Sequence, residues 1–373
     1  MAEPAHLIHV FATFCAAGPQ VRAAALMDAF GDRFRHTVLA VDGRTEALEL
    51  VREARVEAAP WAPDGSAMAG IRFGRDLLRE SRPDLLLTYN FGSMDAVLAA
   101  RTARFDRHVH HEDGFNVDEA QRLKGRRNWA RRIALRSTDV IVPSANLEKI
   151  ARGTWRLPRV HLIPNGIDAA RFERDAAAGR AFRAAHGIGP EEVVVGAVGH
   201  LRPVKNLGRL IRAAAGAAFP DGVRPRVVIV GDGSEREALE RAAAECSDRI
   251  AVTFTGHLEN LSPAYSAFDV LGISSDSEQQ PISLLEAMAA GLPVAATDVG
   301  DVASTLPPEA RAHVVPSGPG AERDLGVALA GLVADPERRA ALGALSEERV
   351  KASFSLDGMV EAYREVYDLG LGR

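Results

Sequence analysis

The amino-acid sequence predicts an α/β protein made of two Rossmann-like, doubly wound domains. The chain has 373 residues, which is too long for one ordinary hydrophobic core and suits two domains. In both halves, short β-branched or leucine-rich runs alternate with helical patterns, as in successive βαβ units. The turn dipeptide Asn165-Gly166 separates the two series.

The first series opens with an apolar run after Glu3, which we interpret as a buried strand because no basic segment precedes it as in a signal peptide. These runs predict an N-terminal domain over residues 1–168. Its strands are expected at Leu7–Thr13, His36–Ala40, Leu85–Tyr89, His108–His110, Val140–Val142 and Val160–Ile163. Its helical patterns include Gln20–Phe30, Ile71–Ser81 and Ser93–Ala103.

The second series predicts a domain over residues 169–355. Its strands are expected at Val193–Val198, Arg226–Val230, Ala251–Thr255, Val270–Ile273, Val294–Ala296 and Ala312–Val315. The final pattern is helical and no strand follows it. We therefore expect residues 356–373 to form a C-terminal helix that crosses back to the N-terminal domain.

Composition excludes several classes of protein. No run approaches the roughly 20 apolar residues of a membrane-spanning helix. Cys15 and Cys246 are too few for a disulfide scaffold or a cysteine-based zinc site, and they favour a reducing cytoplasm. Residues 1–168 hold 24 Lys and Arg against 21 Asp and Glu, whereas residues 169–373 hold 21 against 29. This balance argues against nucleic-acid binding and leaves room for an anionic partner on the first half.

Because open parallel sheets bind ligands at the carboxyl ends of their strands, the residues that follow the strands matter most. The strand Val193–Val198 leads into a loop with His200, Arg202 and Lys205 before the next helix. Cations at a helix N-terminus suit a phosphate group, and lysine is rare in this arginine-rich chain. The alternative is a solvated loop.

Two further strands of the second half end in glycine turns. Gly231-Asp232-Gly233 would let a ligand approach the backbone closely, or Asp232 and Ser234 would simply cap the next helix. Another strand ends at Gly256-His257.

The strongest pattern runs from Ser274 to Val294. Glu278 precedes a helix that we expect to start at Pro281, and Glu286 lies about a turn and a half into it. Two such carboxylates can accept hydrogen bonds from one polyol ligand, while the helix N-terminus offers N–H groups to a phosphate or sugar oxygen. The pattern predicts a cradle for a nucleotide sugar.

This pattern resembles the family 4 retaining glycosyltransferases (glycosyl transferases group 1), which have the GT-B fold. The resemblance rests on Glu-x7-Glu from Glu278, on Gly-x-Pro-Val ending at Val294, and on Ile-Pro-Asn-Gly-Ile-Asp at Ile163–Asp168. It implies two Rossmann-like domains facing across a cleft, the first on the acceptor side and the second binding the nucleotide sugar. The implied reaction transfers a hexose-type sugar from a nucleoside diphosphate sugar to an acceptor hydroxyl with retention. The implied setting is the biosynthesis of cell-surface polysaccharide or glycolipid, with a sugar or lipid-linked saccharide as acceptor.

The resemblance also implies residue roles and no cofactor or metal. Glu286 would bind the ribose, Glu278 the transferred sugar and Lys205 the diphosphate. Arg202 would supply charge where His200 replaces the family's arginine, and His110 would face the reacting sugar. The expected catalytic residues are His110, Glu278, Lys205 and Arg202. The expected donor-binding residues are Gly18, Gly231, Gly233, His257, Gln279, Gln280, Pro281, Ile282 and Glu286. Metal binding by His108, His110 and His111 is a weaker alternative, since alternate strand residues point to opposite faces.

A basic segment over residues 122–136 holds seven Lys or Arg and no acid, and Trp129 and Ile133 are four residues apart on one helical face. It suits an anionic membrane surface or a lipid diphosphate acceptor. The alternative is a solvated face with Trp129 in the core. The expected surface residues are Arg126, Arg127, Trp129, Arg131 and Arg132. We thus expect a cytoplasmic protein, with peripheral association at the inner face of the membrane as an open alternative.

Other functions remain open. The same scaffold serves a nucleotide-sugar 2-epimerase, a glycogen-synthase-like polymerase or a non-catalytic sugar-nucleotide-binding module. A Rossmann dehydrogenase is excluded, because residues 16–22 lack the Gly-x-Gly-x-x-Gly pattern.

Overall fold

The computed structural model describes residues 3–61, 65–115 and 124–372. The chain forms two compact units. The first holds the described residues within 1–114, 122–165 and 357–373, and the second holds those within 115–121 and 166–356.

The first unit is built on a parallel sheet whose strands follow the order β3-β2-β1-β4-β5-β6-β7 in the described residues. Every residue of β1 and β4 is buried, as expected for central strands covered on both faces. The strands are β1 (Ala5–Phe11), β2 (Phe34–Ala40), β3 (Arg55–Pro60), β4 (Leu85–Tyr89), β5 (His108–His111), β6 (Asp139–Val142) and β7 (Val160–Leu162).

Helices cover this sheet, and two of them begin at serine caps. The Ser66 hydroxyl accepts a hydrogen bond from the Ala69 N–H and the Ser144 hydroxyl accepts one from the Leu147 N–H, which satisfies a free donor at each helix start. The helices are α1 (Gly18–Phe30), α2 (Ala67–Ser81), α3 (Met94–Ala103), α4 (Gly125–Ala134) and α5 (Ala145–Gly153). The chain's last helix, Leu356–Leu371, also belongs to this unit apart from its first residue.

The second unit has a parallel sheet in the order β10-β9-β8-β11-β12-β13. Its strands are β8 (Glu192–Val198), β9 (Arg224–Val230), β10 (Ala251–Gly256), β11 (Val270–Ile273), β12 (Val294–Asp298) and β13 (Val314–Pro316). Its helices are α6 (Ala176–Ala185), α7 (Leu207–Gly216), α8 (Arg236–Glu245), α9 (Ser262–Ala267), α10 (Ile282–Ala289), α11 (Val302–Thr305), α12 (Ala321–Ala334) and α13 (Pro336–Ser353). The final helix, Leu356–Leu371, is α14.

The predicted α/β fold with two Rossmann-like parallel-sheet domains is confirmed. One strand, β3, was not predicted. It lies at the edge of its sheet, its residues are exposed or half-buried, and it ends in a proline. Edge strands with little buried surface carry a weak hydrophobic pattern, which explains the omission.

Candidate functional site

The sheet of the second unit reverses its strand order between β8 and β11, which are parallel neighbours. The loops that leave the carboxyl ends of these strands therefore lie side by side. This is the topological switch point at which open α/β sheets bind ligands. The loop after β8 carries Lys205, and the loop after β11 carries Glu278.

Lys205 and Glu278 form an ion pair at this point. The distance from Lys205 Nζ to Glu278 Oε1 is 2.5 Å, and the Ser275 hydroxyl donates to the same oxygen at 2.7 Å. The two charged side chains are 26% and 12% exposed, so both groups remain accessible to a polar ligand. An ammonium group has three N–H donors, and Glu278 takes one of them.

The two loops are tied together by residues that sequence reasoning missed. Arg209 Nη2 lies 2.5 Å from Asp276 Oδ1, and Asn206 Nδ2 donates to Asp276 Oδ2 at 3.1 Å. The Ser274 hydroxyl donates to the carbonyl oxygens of Lys205 and Asn206. These contacts hold the backbone at Lys205 against the loop after β11. No local pattern signals the Arg209–Asp276 pair, because its partners are 67 residues apart in the chain.

The glycine turn after β9 packs against the loop after β8. A Cβ atom at Gly231 would lie 2.1 Å from the carbonyl oxygen of Gly199, and one at Gly233 would lie 2.5 Å from that of Leu201. The Leu201 N–H donates to the carbonyl oxygen of Asp232 at 2.9 Å. The close approach that these glycines permit is therefore between two protein loops at the switch point. Their contact with a ligand stays a prediction.

The capping alternative for this turn is wrong. Helix α8 begins at Arg236 after Glu235 and has no side-chain cap. The Asp232 carboxylate instead accepts a hydrogen bond from the N–H of Gly233, its neighbour, at 2.7 Å.

Glu286 lies on α10, which begins after Pro281, one residue later than predicted. Its Oε2 accepts a hydrogen bond from the Tyr265 hydroxyl at 2.7 Å. Burial raises the pKa of Glu286, whereas the hydrogen bond from Tyr265 lowers it. Burial also raises the pKa of Tyr265, so this hydroxyl stays a donor. Tyr265 comes from α9, and nothing in the sequence pattern pointed to it.

The backbone before α10 is fixed by close packing. Gly300 has φ +57°, and a Cβ atom there would lie 2.2 Å from the carbonyl oxygen of Glu278. The Asp301 N–H donates to the carbonyl oxygen of Gln279 at 2.7 Å. Of the predicted residues in this turn, Ile282 is half-buried and the others are buried, namely Gln279, Gln280 and Pro281.

Three further predicted residues of the second unit lie at the surface. His200, Arg202 and His257 are all exposed, and the Arg202 N–H donates to the carbonyl oxygen of His200 at 2.8 Å. His200 and Arg202 belong to the same loop as Lys205, whereas His257 follows β10.

In the first unit, His110 is fully buried in β5. Its Nδ1 shares the Thr88 hydroxyl with His108 Nε2, each at 2.8 Å. Its Nε2 lies 3.6 Å from Glu112 Oε2, which is longer than a normal hydrogen bond. Glu112 forms a buried ion pair with Arg131 at 2.8 Å. Burial raises the pKa of Glu112, but Arg131 and His110 outweigh it and hold that pKa below its usual value.

His111 lies on the other face of β5. Its Nε2 is 3.1 Å from the Tyr367 hydroxyl, and its ring stacks on Tyr89 with centroids 4.3 Å apart. His108 and His110 therefore share one face of the strand and His111 the opposite one, as alternate residues do. In the part of the chain that the structure describes, no group of three or more His, Cys, Asp or Glu is placed to hold a metal ion.

Helix α1 begins at Gly18 and carries Arg22, whose side chain is buried. Arg22 joins the segment after β5 to the segment after β7. Arg22 Nη2 lies 2.5 Å from Asp113 Oδ1, and its Nη1 donates to Asn165 Oδ1 at 2.9 Å. Burial works against the charge, but Asp113 outweighs it and raises the pKa of Arg22. These residues follow or face the ends of β1, β5 and β7, so one guanidinium holds the three strand ends together. The sequence pattern did not assign Arg22 this role.

Helix α4 carries the basic segment, and the structure corrects two expectations about it. Trp129 is 67% exposed, so the alternative that placed it in the core is wrong. Arg131 is buried against Glu112 and is not a surface residue. Arg126 is exposed, whereas Arg127 and Arg132 are half-buried. Residues 122 and 123 of the segment lie outside the described residues.

None of the helices in the described ranges combines the length and the apolar character that crossing a bilayer requires.

Two family models match the chain. Residues 16–171 match "Glycosyltransferase Family 4", and residues 180–349 match "Glycosyl transferases group 1".

Similar proteins include two from Mycobacterium tuberculosis (strain CDC 1551 / Oshkosh). A GDP-mannose-dependent alpha-mannosyltransferase is 34% identical over 57% of this chain and 52% of its own length. A GDP-mannose-dependent alpha-(1-6)-phosphatidylinositol monomannoside mannosyltransferase is 32% identical over 66% of this chain and 64% of its own length. A D-inositol 3-phosphate glycosyltransferase of Rhodococcus opacus (strain B4) is 32% identical over 55% of this chain and 48% of its own length. The chain thus spans about half the length of the relatives it matches.

Among solved structures, the Anabaena protein Alr3699/HepE in complex with UDP has a TM-score of 0.80 to this chain. The match covers 98% of this chain and 100% of the other at 18% identity. A likeness at this identity establishes a shared fold.

Proposed function

Because the chain belongs to the glycosyltransferases of group 1 and family 4, we propose that it moves a sugar from a nucleoside diphosphate sugar to an acceptor hydroxyl. The observation that carries the proposal is the Lys205–Glu278 pair at the switch point of the second unit, with Glu286 on the helix that follows. A cation for a diphosphate and two carboxylates for sugar and ribose hydroxyls are the groups that such a donor needs.

In the proposed reaction, the bond between the anomeric carbon and the donor phosphate oxygen breaks. The acceptor oxygen bonds to the same face of that carbon, which retains the configuration, and the acceptor proton passes to the leaving phosphate. Lys205 and Arg202 would stabilise the charge on the leaving diphosphate, a contribution that often dominates catalysis. With these cations in place, the proposed reaction uses no cofactor and no metal.

The remaining predicted residues keep supporting roles in this proposal. Glu278 would accept hydrogen bonds from the transferred sugar, and Glu286, steadied by Tyr265, from the ribose. His110 would orient the sugar, which requires its fully buried side chain to become accessible when the donor binds. The Thr88 hydroxyl on its Nδ1 fixes the orientation of its ring. The turn at Gln279–Ile282 would offer backbone N–H groups to the sugar or phosphate.

A ligand screen tests the proposal. We expect one of the UDP-, GDP- or ADP-sugars to raise the melting temperature, because a ligand that binds only the folded state stabilises it by mass action. Glu286→Gln should weaken that donor's binding in calorimetry. Exposed Glu337, in the first turn of α13, provides the matched substitution Glu337→Gln, which should leave the affinity unchanged. Equal affinities for both variants would remove Glu286 from the site.

Turnover separates the alternatives. A transferase should release nucleoside diphosphate and form a new glycoside only when an acceptor is present, and the anomeric proton coupling of the product reports retention. A 2-epimerase would convert the donor without an acceptor. A non-catalytic binding module would show the thermal shift and no turnover with any donor.

For the setting of the reaction, we propose biosynthesis of a cell-surface polysaccharide or glycolipid, by a cytoplasmic protein at the inner face of the membrane. The exposed indole of Trp129 beside arginines on α4 supports a peripheral membrane contact. The matched mannosyltransferase whose name includes a phosphatidylinositol monomannoside supports a lipid-linked acceptor.

A further inference from the structure

A pocket of about 290 Å³ lies in the first unit, at a place that the proposed reaction does not use. It is lined by Arg132, Arg136, Arg156 and Pro158, and we refer to these four residues as the arginine pocket. Its volume approaches the roughly 300 Å³ at which small-ligand sites begin. Three arginines line one cavity, and arginine is the side chain best suited to bind an anion such as phosphate.

The charge of this pocket is not neutralised within the protein. In residues 3–61, 65–115 and 124–372, none of the side chains of Arg132, Arg136 and Arg156 has an ion-pair or hydrogen-bond partner. The nearby acid Asp139 is engaged by His161 at 2.8 Å and by Arg159 at 3.7 Å. Three like charges held close together repel one another, so an anion bound among them would be favoured.

The scaffold under the pocket is rigid. Arg131 and Trp155, the residues before Arg132 and Arg156, are buried and contact each other, with the guanidinium carbon 4.9 Å from the ring centroid. Trp155 Nε1 also donates to Asn128 Oδ1 at 2.9 Å. These contacts join α4 to the turn before β7, so the next residue on each segment is brought to one place. The backbone positions of Arg132 and Arg156 are therefore set by the buried contact between their neighbours.

The pocket lies near the amino ends of the strands, whereas the predicted reaction groups of this unit lie near their carboxyl ends. Arg136 shortly precedes β6 and Pro158 shortly precedes β7, whereas Asp113 and Asn165 follow the ends of β5 and β7. Since the strands are parallel, Arg136 and Pro158 mark the amino ends of the strands, and Asp113 and Asn165 mark their carboxyl ends. A ligand in the arginine pocket therefore leaves the residues at the carboxyl ends of the strands free to bind substrate.

The surface beside the pocket indicates which anion it takes. Trp129 and Ile133 are 67% and 39% exposed. Trp129 lies three residues before Arg132 on α4, and Ile133 lies three residues before Arg136, which follows the end of the helix. An exposed indole is of no use to a soluble phosphate, but it suits the boundary between lipid headgroups and acyl chains. Nucleic acid is disfavoured by the net charge of −5.

We propose that the arginine pocket binds the phosphate of an anionic phospholipid headgroup, while Trp129 and Ile133 enter the interfacial layer of the bilayer. The inference rests on the proposed peripheral membrane association and is independent of sugar transfer. Its chemistry is that of charge-assisted hydrogen bonds from guanidinium to phosphate oxygens.

Vesicle binding tests this inference on the full chain. We expect cosedimentation with mixed phosphatidylcholine–phosphatidylglycerol vesicles and none with pure phosphatidylcholine. The triple variant Arg132→Gln, Arg136→Gln, Arg156→Gln should bind about a hundredfold more weakly, since each arginine near an anionic surface contributes roughly 1 kcal/mol. Its matched control removes three exposed arginines of the second unit, Arg180→Gln, Arg241→Gln and Arg311→Gln, and should bind like the unsubstituted protein.

A second pair of variants tests the contribution of the exposed apolar side chains. Trp129→Ser should weaken vesicle binding, whereas Met68→Ser, at a methionine that is 62% exposed on α2, should not. Circular dichroism of each variant checks that the fold is retained. Undiminished binding by the pocket variant, equal losses in both triple variants, or absence of binding by the unsubstituted protein would overturn the proposal. Binding of soluble glycerol phosphate without any vesicle binding would identify a soluble anion as the ligand and would also overturn it.

Donor binding in solution distinguishes a failure of the lipid-site proposal from a failure of the sugar-transfer proposal. The pocket variant should show the same thermal shift with the nucleotide sugar as the unsubstituted protein. If no donor stabilises either protein while the vesicle results hold, sugar transfer fails and the lipid site stands.

Discussion

At the scale of single residues, the ion pair between Lys205 and Glu278 is the feature on which the proposed chemistry depends most. We predict that Lys205→Ala lowers turnover by about 10²–10³-fold, the usual cost of losing one group that stabilises developing negative charge. The free energy of unfolding should fall by no more than about 1 kcal/mol, because partly exposed ion pairs contribute little. Lys351→Ala is the matched control, since Lys351 pairs with Glu347 and Glu173 on the surface. Steady-state kinetics and urea titration measure both quantities, and equal turnover in the two variants would exclude Lys205 from the site.

At the scale of elements, α4 presents two successive arginines to opposite environments. Arg131 pairs with Glu112 inside the first unit, and Arg132 lines the arginine pocket. We predict that Arg131→Gln lowers the free energy of unfolding by about 3–5 kcal/mol, because it leaves the Glu112 charge buried without its partner. Arg132→Gln should stay within about 0.5 kcal/mol of the unsubstituted protein. Urea unfolding followed by tryptophan emission, to which Trp155 beside Arg131 contributes, reports the difference. Similar losses in both variants would show that the buried pair is not what holds α4 to β5.

At the scale of the whole molecule, the two units should respond differently to acid. Burial lowers the pKa of several histidines in the first unit, to about 4 for His36 and about 3 for His108. The unfolded chain takes up these protons near pH 6.5 and the folded sheet does not. Stability therefore falls as the pH drops from about 6.5 to about 4, by roughly 1.4 kcal/mol per pH unit for each such group. All three tryptophans belong to the first unit, so their emission should change at a higher pH than the circular dichroism that both units share. The prediction would be contradicted if tryptophan emission and circular dichroism changed at the same pH, or if the free energy of unfolding stayed constant between pH 7 and 5. The first-unit histidines with lowered pKa are His6, His9, His36, His108 and His111; in the described part of the second unit only His313 has one.

The sequence by itself determined the two parallel α/β domains, most strand positions and the placement of Glu278 before a helix that carries Glu286, because these follow from short-range periodicity and turn residues. Only the tertiary structure decided which side chains meet. It brought Lys205 to Glu278, Tyr265 to Glu286 and Arg209 to Asp276 from distant parts of the chain. It also turned Arg131 inward and left Trp129 outside, the reverse of what hydrophobicity alone suggests. The physical reason is that local pattern sets the conformation of each segment, whereas the environment of a side chain depends on which distant segment packs against it.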